Sequence, residues 1–164
     1  MQTMVEDFLA QKHIAVTGVS RSREDAANLN YRRFKQAGYA VYAVNPNAQE
    51  FEGDPCYPDL RSLPEKPEAV FITNRPAVAE KIVQECIDLG IRRVWIHCSL
   101  GTKPPSFLRR TAEAIGSPSD ETIRLCRENG ISVIPGGCAL MYLNPDGAHK
   151  MMRGFLNVFG ALKV

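Results

Sequence analysis

The sequence predicts an α/β fold: a mainly parallel five-stranded sheet, order 3-2-1-4-5, covered by helices on both faces. Three observations carry that expectation. Five short apolar runs of strand length alternate with segments whose apolar residues recur every three or four positions. Several runs are apolar throughout, as strands covered on both faces are. Each run closes on turn-forming residues, and the helical segments between them stop at Gly38, Gly90 and Gly130. Strands alternating with helices in this way form parallel sheets with right-handed crossovers.

The chain opens with a short helix over Thr3–Ala10, where Thr3 and Glu6 have capping-box spacing. The first strand is Ile14–Thr17, followed by the turn Gly18-Val19-Ser20-Arg21. A helix from Ala26 to Ala37 carries Ala27, Tyr31 and Phe34 on one face, and the second strand is Ala40–Val44. Residues 46–67 hold five prolines and weak periodicity, so no regular element is predicted there; Leu60 and Leu63 would pin the segment to the sheet. The third strand, Ala69–Thr73, turns at Asn74-Arg75-Pro76. Pro76 suits the first position of a helix that carries Val78, Ala79, Ile82, Val83, Cys86 and Leu89. Val94–Cys98 is the fourth strand. From Thr102 to Ser119 the pattern loosens. A helix over Ser119–Asn129 and a fifth strand, Ile131–Ile134, lead to Pro135-Gly136-Gly137-Cys138. A last helix starts near Asp146, with Ala148, Met151, Met152, Phe155 and Phe159 on one side as core or dimer contact.

A length of 164 residues fits one domain spanning 1–164. The 20 basic and 18 acidic residues balance to +2, which argues against nucleic-acid or membrane binding by bulk charge. The five cysteines are scattered and odd in number, the pattern of small core residues in a reducing compartment. The N-terminus lacks a basic segment followed by an apolar one, and no apolar run approaches the length of a spanning helix. The expected location is the cytoplasm.

In a doubly wound sheet the turns after the strands face one cleft, where a ligand sits. The first strand, Gly18 turn and following helix are the arrangement that presents a phosphate to a helix N-terminus. A dinucleotide fingerprint would need G-x-G-x-x-G and an acidic residue closing the second strand. Here Ser20 and Arg23 occupy the second and third glycine positions, and Asn45 stands where the acid belongs. No P-loop G-K-[ST] occurs. What remains is a phosphate turn with cations: Arg21 and Arg23 beside it, and Arg75 at the exit of the third strand. A ligand with several phosphates and an adenine suits these turns.

The runs I-A-V-T-G-V-S, G-Y-A-V-Y-A-V-N-P, A-V-F-I-T-N-R-P and V-W-I-H-C-S-L-G, with G-C-A-L-M-Y-L-N-P near the end, resemble those of the small stand-alone coenzyme A-binding proteins. That family shares a Rossmann-like three-layer fold with the N-terminal domain of the succinyl-CoA synthetase alpha subunit. The resemblance covers nearly the whole chain, and Asn45-Pro46 after a G-Y-x-V-Y strand is its most specific element. It implies coenzyme A or acyl-CoA as cofactor. Gly18, Val19, Ser20 and Arg21, with Arg23 nearby, would line its phosphates. Asn45 and Pro46 would border the ribose and 3′-phosphate. Asn74, Arg75 and Pro76 would flank the adenine, and Ser99, Leu100 and Gly101 would lie toward the pantetheine arm. Two departures stand out. Residues 102–121 look inserted, and the loop after the second strand has Asn47 where synthetase-like relatives place a lysine.

The function expected on these grounds is coenzyme A or acyl-CoA binding without catalysis by the chain alone, as sensor, carrier or presenting module. The expected partner is a small nucleotide ligand, with a homodimer or a ligase as the candidate protein partner. Two alternatives stay open: an NAD(P)-binding sensor or oxidoreductase-like protein, and an enzyme processing acyl-CoA thioesters through Cys138 or His97. Both residues also read as core: His97 as a hydrogen-bonded histidine, Cys138 as a buried structural cysteine. No catalytic or metal-binding constellation is evident.

Overall fold

A computed structural model describes residues 2–21, 25–98, 118–145 and 147–158. In chain order it contains α1 (Gln2–Leu9), β1 (His13–Thr17), α2 (Ala26–Gln36), β2 (Ala40–Val44), β3 (Glu50–Phe51), β4 (Asp54–Tyr57), β5 (Ala69–Ile72), α3 (Pro76–Leu89) and β6 (Arg93–Ile96). After these come α4 (Asp120–Glu128), β7 (Ser132–Pro135), a 3-10 turn (Ala139–Met141) and α5 (Gly147–Val158). The fold class is the predicted one.

Side-chain alternation along the strands builds the layers. Ile14 and Val16 of β1, Phe71 of β5 and Trp95 of β6 face the same way as Phe8 of α1 and Tyr31 and Phe34 of α2. Ala15, Val70, Ile72, Val94 and Ile96 face the other way, toward Ala79, Ile82, Val83 and Cys86 of α3 and Cys126 of α4. Both faces of the central strands are therefore dry, which explains their unbroken apolar character. The first face is aromatic: Phe8 meets Trp95 edge-on at 5.4 Å, and Phe71 lies 5.8 Å from the same indole. The indole N–H donates to the Gly136 carbonyl at 3.0 Å, so its one polar atom is satisfied inside the core.

The strand count and order differ from expectation. The sheet has seven strands in the order β3-β4-β2-β1-β5-β6-β7. The five predicted strands thus run 2-1-3-4-5, not 3-2-1-4-5. The reason lies in residues 46–67. There the chain forms a hairpin, β3–β4, closed by Glu52 and Gly53 with φ of 53° and 84°. Two consecutive positive φ values are what a tight two-residue hairpin turn requires. β4 then pairs parallel with β2 through Ala43↔Cys56 and Val44↔Tyr57 and occupies its outer edge. The next strand, β5, pairs instead with the free side of β1, from Ile14↔Ala69 to Thr17↔Ile72. The hairpin is held from α2: the Tyr31 hydroxyl donates to Asp54 at 2.7 Å, Lys35 pairs with the same carboxylate, and Arg32 donates to Glu52 at 2.7 Å. The Lys35 ammonium, with help from Tyr31, holds the Asp54 carboxyl below the usual carboxylate range.

Smaller corrections follow. α1 begins at Gln2, so Thr3 lies inside the helix and does not cap it; Glu6 accepts from the Gln2 amide at 3.0 Å. On α5, Met151 and Phe155 are exposed. Leu156 and Met152 are the residues that pack inward, against Leu140, Met141 and Tyr142. Phe159 lies outside the described residues, as does the expected insertion up to residue 117; its last residues begin α4, where the Ser119 side chain caps the helix by accepting from the Thr122 amide. Among the described residues no helix is long and apolar enough to cross a membrane, and no group of three or more His, Cys, Asp or Glu could hold a metal ion.

Candidate functional site

Because β2 and β5 flank β1 on opposite sides, the chain reverses direction across the sheet between β1 and β5. The crevice beyond their carboxyl ends is the switch point where ligands of such sheets bind. That crevice holds a cleft of about 800 Å³. Its rim carries Thr17, Gly18, Ser20 and Arg21 after β1, Asn45, Pro46, Asn47 and Ala48 after β2, and Asn74 after β5. Six of the residues singled out from the sequence thus converge: Gly18, Ser20, Arg21, Asn45, Pro46 and Asn74. Val19 is fully buried and serves the cleft through its backbone. Arg75, exposed at the N-cap of α3, and Pro76 do not line it. Arg23, Ser99, Leu100 and Gly101 lie outside the described residues.

The β1 turn is locked from three directions. Gly18 has φ +89°, and its N–H donates to the Val44 carbonyl at 3.1 Å. Thr73 Oγ1 donates to the Thr17 carbonyl at 2.7 Å, and Thr17 Oγ1 donates to Asn74 Oδ1 at 2.6 Å. This lays the Thr73-Asn74 pair directly over Gly18. From α2, Asn28 accepts the Ser20 N–H at 2.9 Å and donates back to the Ser20 carbonyl at 2.7 Å. The carboxamide thereby acts on Ser20 like a neighbouring strand. Asn28 is 3% exposed and was not among the residues singled out from the sequence. Asn28→Ala should cost about 1–2 kcal/mol of stability by urea unfolding, since both Ser20 backbone groups lose their partner. An unchanged unfolding midpoint would remove Asn28 from the turn's support.

Asn45 braces the second turn against the first. Its Nδ2 donates to the Val19 carbonyl at 2.5 Å and its Oδ1 accepts the Asn47 N–H at 2.8 Å, while its own N–H donates to Tyr57. Both ends of the side chain are engaged with backbone. The N-terminus of α2 is likewise closed: the Asp25 carboxylate accepts from the Ala27 and Asn28 amides. With the Gly18 N–H donated to Val44 and the Ser20 N–H to Asn28, anion contact at this turn falls to Arg21 more than to those amides or to the helix end.

The opposite wall was not foreseen. One face of α3 (Val78, Lys81, Ile82, Glu85) and the segment Pro58-Asp59-Leu60 complete the cleft. Glu85 accepts the Leu60 N–H at 3.0 Å and so ties that segment to α3. Leu60 itself is buried beneath, as its predicted pinning role requires. Asp59 accepts from the Ser62 hydroxyl and amide, which hold its carboxyl below the usual range.

His97 and Cys138 are both buried and neither lines the cleft. Burial pushes the His97 imidazole down to about 4, so it is uncharged at neutral pH. Its ring centroid lies 5.8 Å from that of Phe71.

Comparison with known proteins bears on this geometry. A family model described as a CoA binding domain matches residues 12–144. The ADP-forming acetate–CoA ligase I of Archaeoglobus fulgidus is 32% identical over 82 residues, covering 50% of this chain and 12% of the ligase. The chain thus spans only about an eighth of that relative. A hypothetical protein from Pyrococcus horikoshii OT3 superposes with a TM-score of 0.70 at 25% identity, covering 87% of this chain and 91% of that one. The apo form of the dinucleotide forming acetyl-coenzyme A synthetase 1 of Ca. Korarchaeum cryptofilum gives 0.57 at 23% identity, covering 73% and 25%, which speaks to the fold.

Proposed function

Because the chain belongs to the CoA binding domain family, we propose that it binds coenzyme A or an acyl-CoA in the cleft between β1 and β5. Alone it acts as a binding module, a sensor, a carrier or a presenter of the coenzyme to a ligase partner. The observation that carries the reading is the convergence of Gly18, Ser20, Arg21, Asn45, Pro46 and Asn74 on one cleft. The pyrophosphate lies on the Gly18–Arg21 turn, where the Arg21 guanidinium meets it. The adenosine lies across Pro46 toward α3.

The two alternatives draw less from the geometry. An NAD ribose needs a free acceptor at the end of β2, and the Asn45 side chain is engaged with Val19 and Asn47. A thioester-processing enzyme needs a nucleophile or base in the cleft, and His97 and Cys138 are not in its lining.

Thermal shift against coenzyme A and NADH tests the reading. A ligand at about 100 times its Kd stabilises the native state by about 2.7 kcal/mol, which raises the midpoint by about 5–10 °C for a chain of this size. Coenzyme A should give that shift and NADH none. Arg21→Gln should weaken coenzyme A about tenfold, the worth of one charge-assisted hydrogen bond. No shift with millimolar coenzyme A overturns the proposal.

A further inference from the structure

The hairpin β3–β4 stands in the chain between two segments of the cleft lining. Asn45 to Ala48 lead into it, and Pro58-Asp59-Leu60 follow directly from its second strand. Backbone bonds join it to the first of these: the Asn45 N–H donates to the Tyr57 carbonyl at 2.8 Å, and the Cys56 N–H donates to the Gln49 carbonyl at 2.9 Å. Where the hairpin sits, both segments sit. Its pairing with the sheet is short, since β4 meets β2 through two residues and β3 pairs with β4. α2 supplies a second hold. Tyr31, 1% exposed, meets the hairpin twice: its ring stands edge-on to Phe51 at 5.1 Å, and its hydroxyl donates to Asp54 at 2.7 Å. The same helix carries Asn28, which engages both backbone groups of Ser20 on the turn after β1. One helix therefore grips both sides of the cleft, through residues three positions apart.

We propose that Tyr31 and Asp54 are positioning residues for ligand binding: their hydrogen bond makes α2 the spacer that sets how far the turn after β2 stands from the turn after β1. The inference rests on the coenzyme reading and extends it to two residues that do not line the cleft. Three residues, Pro55, Cys56 and Tyr57, separate Asp54 from Pro58, and all three are extended in β4. A displacement at Asp54 therefore reaches Pro58 with little slack, and reaches Asn45 through the Tyr57 carbonyl. The turn after β1 does not follow, because Asn28 holds Ser20 from α2 itself. Loss of the bond thus changes the spacing between the two rims and does not move the cleft as a whole. Lys35 pairs with the same carboxylate, but both partners are partly exposed and such a pair is worth little. The buried hydroxyl donating to a charged acceptor is the stronger contact, so the position needs an acceptor for Tyr31 more than it needs a charge.

The test is a calorimetric titration of coenzyme A into wild type, Tyr31→Phe, Asp54→Ala, their double variant and Asp54→Asn, at a temperature where far-UV circular dichroism shows each to be folded. Tyr31→Phe keeps the ring on Phe51 and removes only the hydroxyl. Tyr31→Phe and Asp54→Ala should each weaken coenzyme A about tenfold, the scale of one hydrogen bond to a charged group. The double variant should lose no more than either single one, because both remove the same bond. Asp54→Asn keeps an acceptor for the hydroxyl and should stay within about threefold of wild type. Arg93→Gln breaks the ion pair with Asp7 where β6 begins, at the end of the sheet away from the cleft, and should bind as wild type does. A merely structural bond would lower the urea midpoint and leave the affinity of the folded protein unchanged. Wild-type affinity in folded Tyr31→Phe therefore overturns the inference while leaving the coenzyme reading standing, and so does an equal loss in Arg93→Gln. If Asp54→Ala does not fold, Tyr31→Phe decides alone. Absence of binding by wild type overturns the coenzyme reading itself, and this inference with it.

Discussion

Gly18→Ala should unfold more readily than wild type by about 2–5 kcal/mol, the joint scale of forcing a side chain into the left-handed region and of overpacking a tight site. Both penalties are written into the geometry. Gly18 has φ +89°, and a Cβ built on its backbone lies 2.4 Å from Thr73 Oγ1. That oxygen has little room to yield, because it donates to the Thr17 carbonyl at 2.7 Å and so anchors β5 to β1. Moving it loosens the pairing on which the switch point depends. The thermal midpoint should fall by at least about 4 °C, since 1 kcal/mol corresponds to about 2–4 °C in domains of this size. A double variant separates the two costs. Gly18→Ala with Thr73→Ala removes the obstructing oxygen and keeps the unfavourable φ, so it should recover part of the loss relative to its own Thr73→Ala background. A Gly18→Ala protein with an unchanged midpoint would show that the turn does not need glycine. Loss of coenzyme A binding is the second expected readout, because a displaced turn no longer holds Arg21 at the cleft.

The elements that were legible in advance are those governed by local pattern. β2 matches residue for residue, and α3 starts at Pro76 as expected. There, apolar period and punctuation by proline or glycine agree with tertiary packing. The hairpin at residues 50–57 was not legible. Its strands are two and four residues long, too short for an alternation to register, and its turn is Glu-Gly where Asn-Gly or Asp-Gly is the usual sign. That one omission accounts for the missed sheet order, since β4 takes the outer edge of β2 and β5 pairs with β1. The site divides along the same line. Turns after strands converge by topology, so Gly18, Ser20, Arg21, Asn45, Pro46 and Asn74 were findable. The α3 wall was not, because Val78, Lys81, Ile82 and Glu85 repeat at helical spacing and look like any partly solvated helix face. The roles of individual amides were also hidden. Asn28 and Asn45 are short polar residues near turns, and nothing in their spacing says that each holds a particular backbone carbonyl.

Asn45→Asp should destabilise the fold by about 2–3 kcal/mol at neutral pH, the cost of a lost hydrogen bond plus a poorly satisfied charged oxygen, and should not install NADH binding. This substitution restores the acidic residue that a dinucleotide site carries at the end of its second strand. In this fold, however, the amide nitrogen of Asn45 sits 2.5 Å from the Val19 carbonyl. A carboxylate would set two acceptor oxygens against each other at that distance. The turn after β1 and the turn after β2 must then part, and the coenzyme loses its binding surface while gaining a negative charge beside its phosphates. The pH dependence gives this prediction its sign. A protonated carboxyl can donate to Val19 as the amide does, so the native state favours the neutral form and raises the introduced group's pKa above the ~3.9 of a free aspartate. Below the unfolded-state value the carboxyl is neutral in both states and the variant approaches wild-type stability. As pH rises through the raised native value the deficit opens and reaches its full size near neutrality. Asn45→Ala removes the same bond without a titrating group, so its deficit should stay flat over the same range. Urea unfolding of both variants from pH 4 to pH 7 checks the contrast. A pH-independent deficit in Asn45→Asp would mean that Val19 is not the partner that matters. A gain of NADH binding would mean that Asn45 is a ligand contact and not the brace between the two turns.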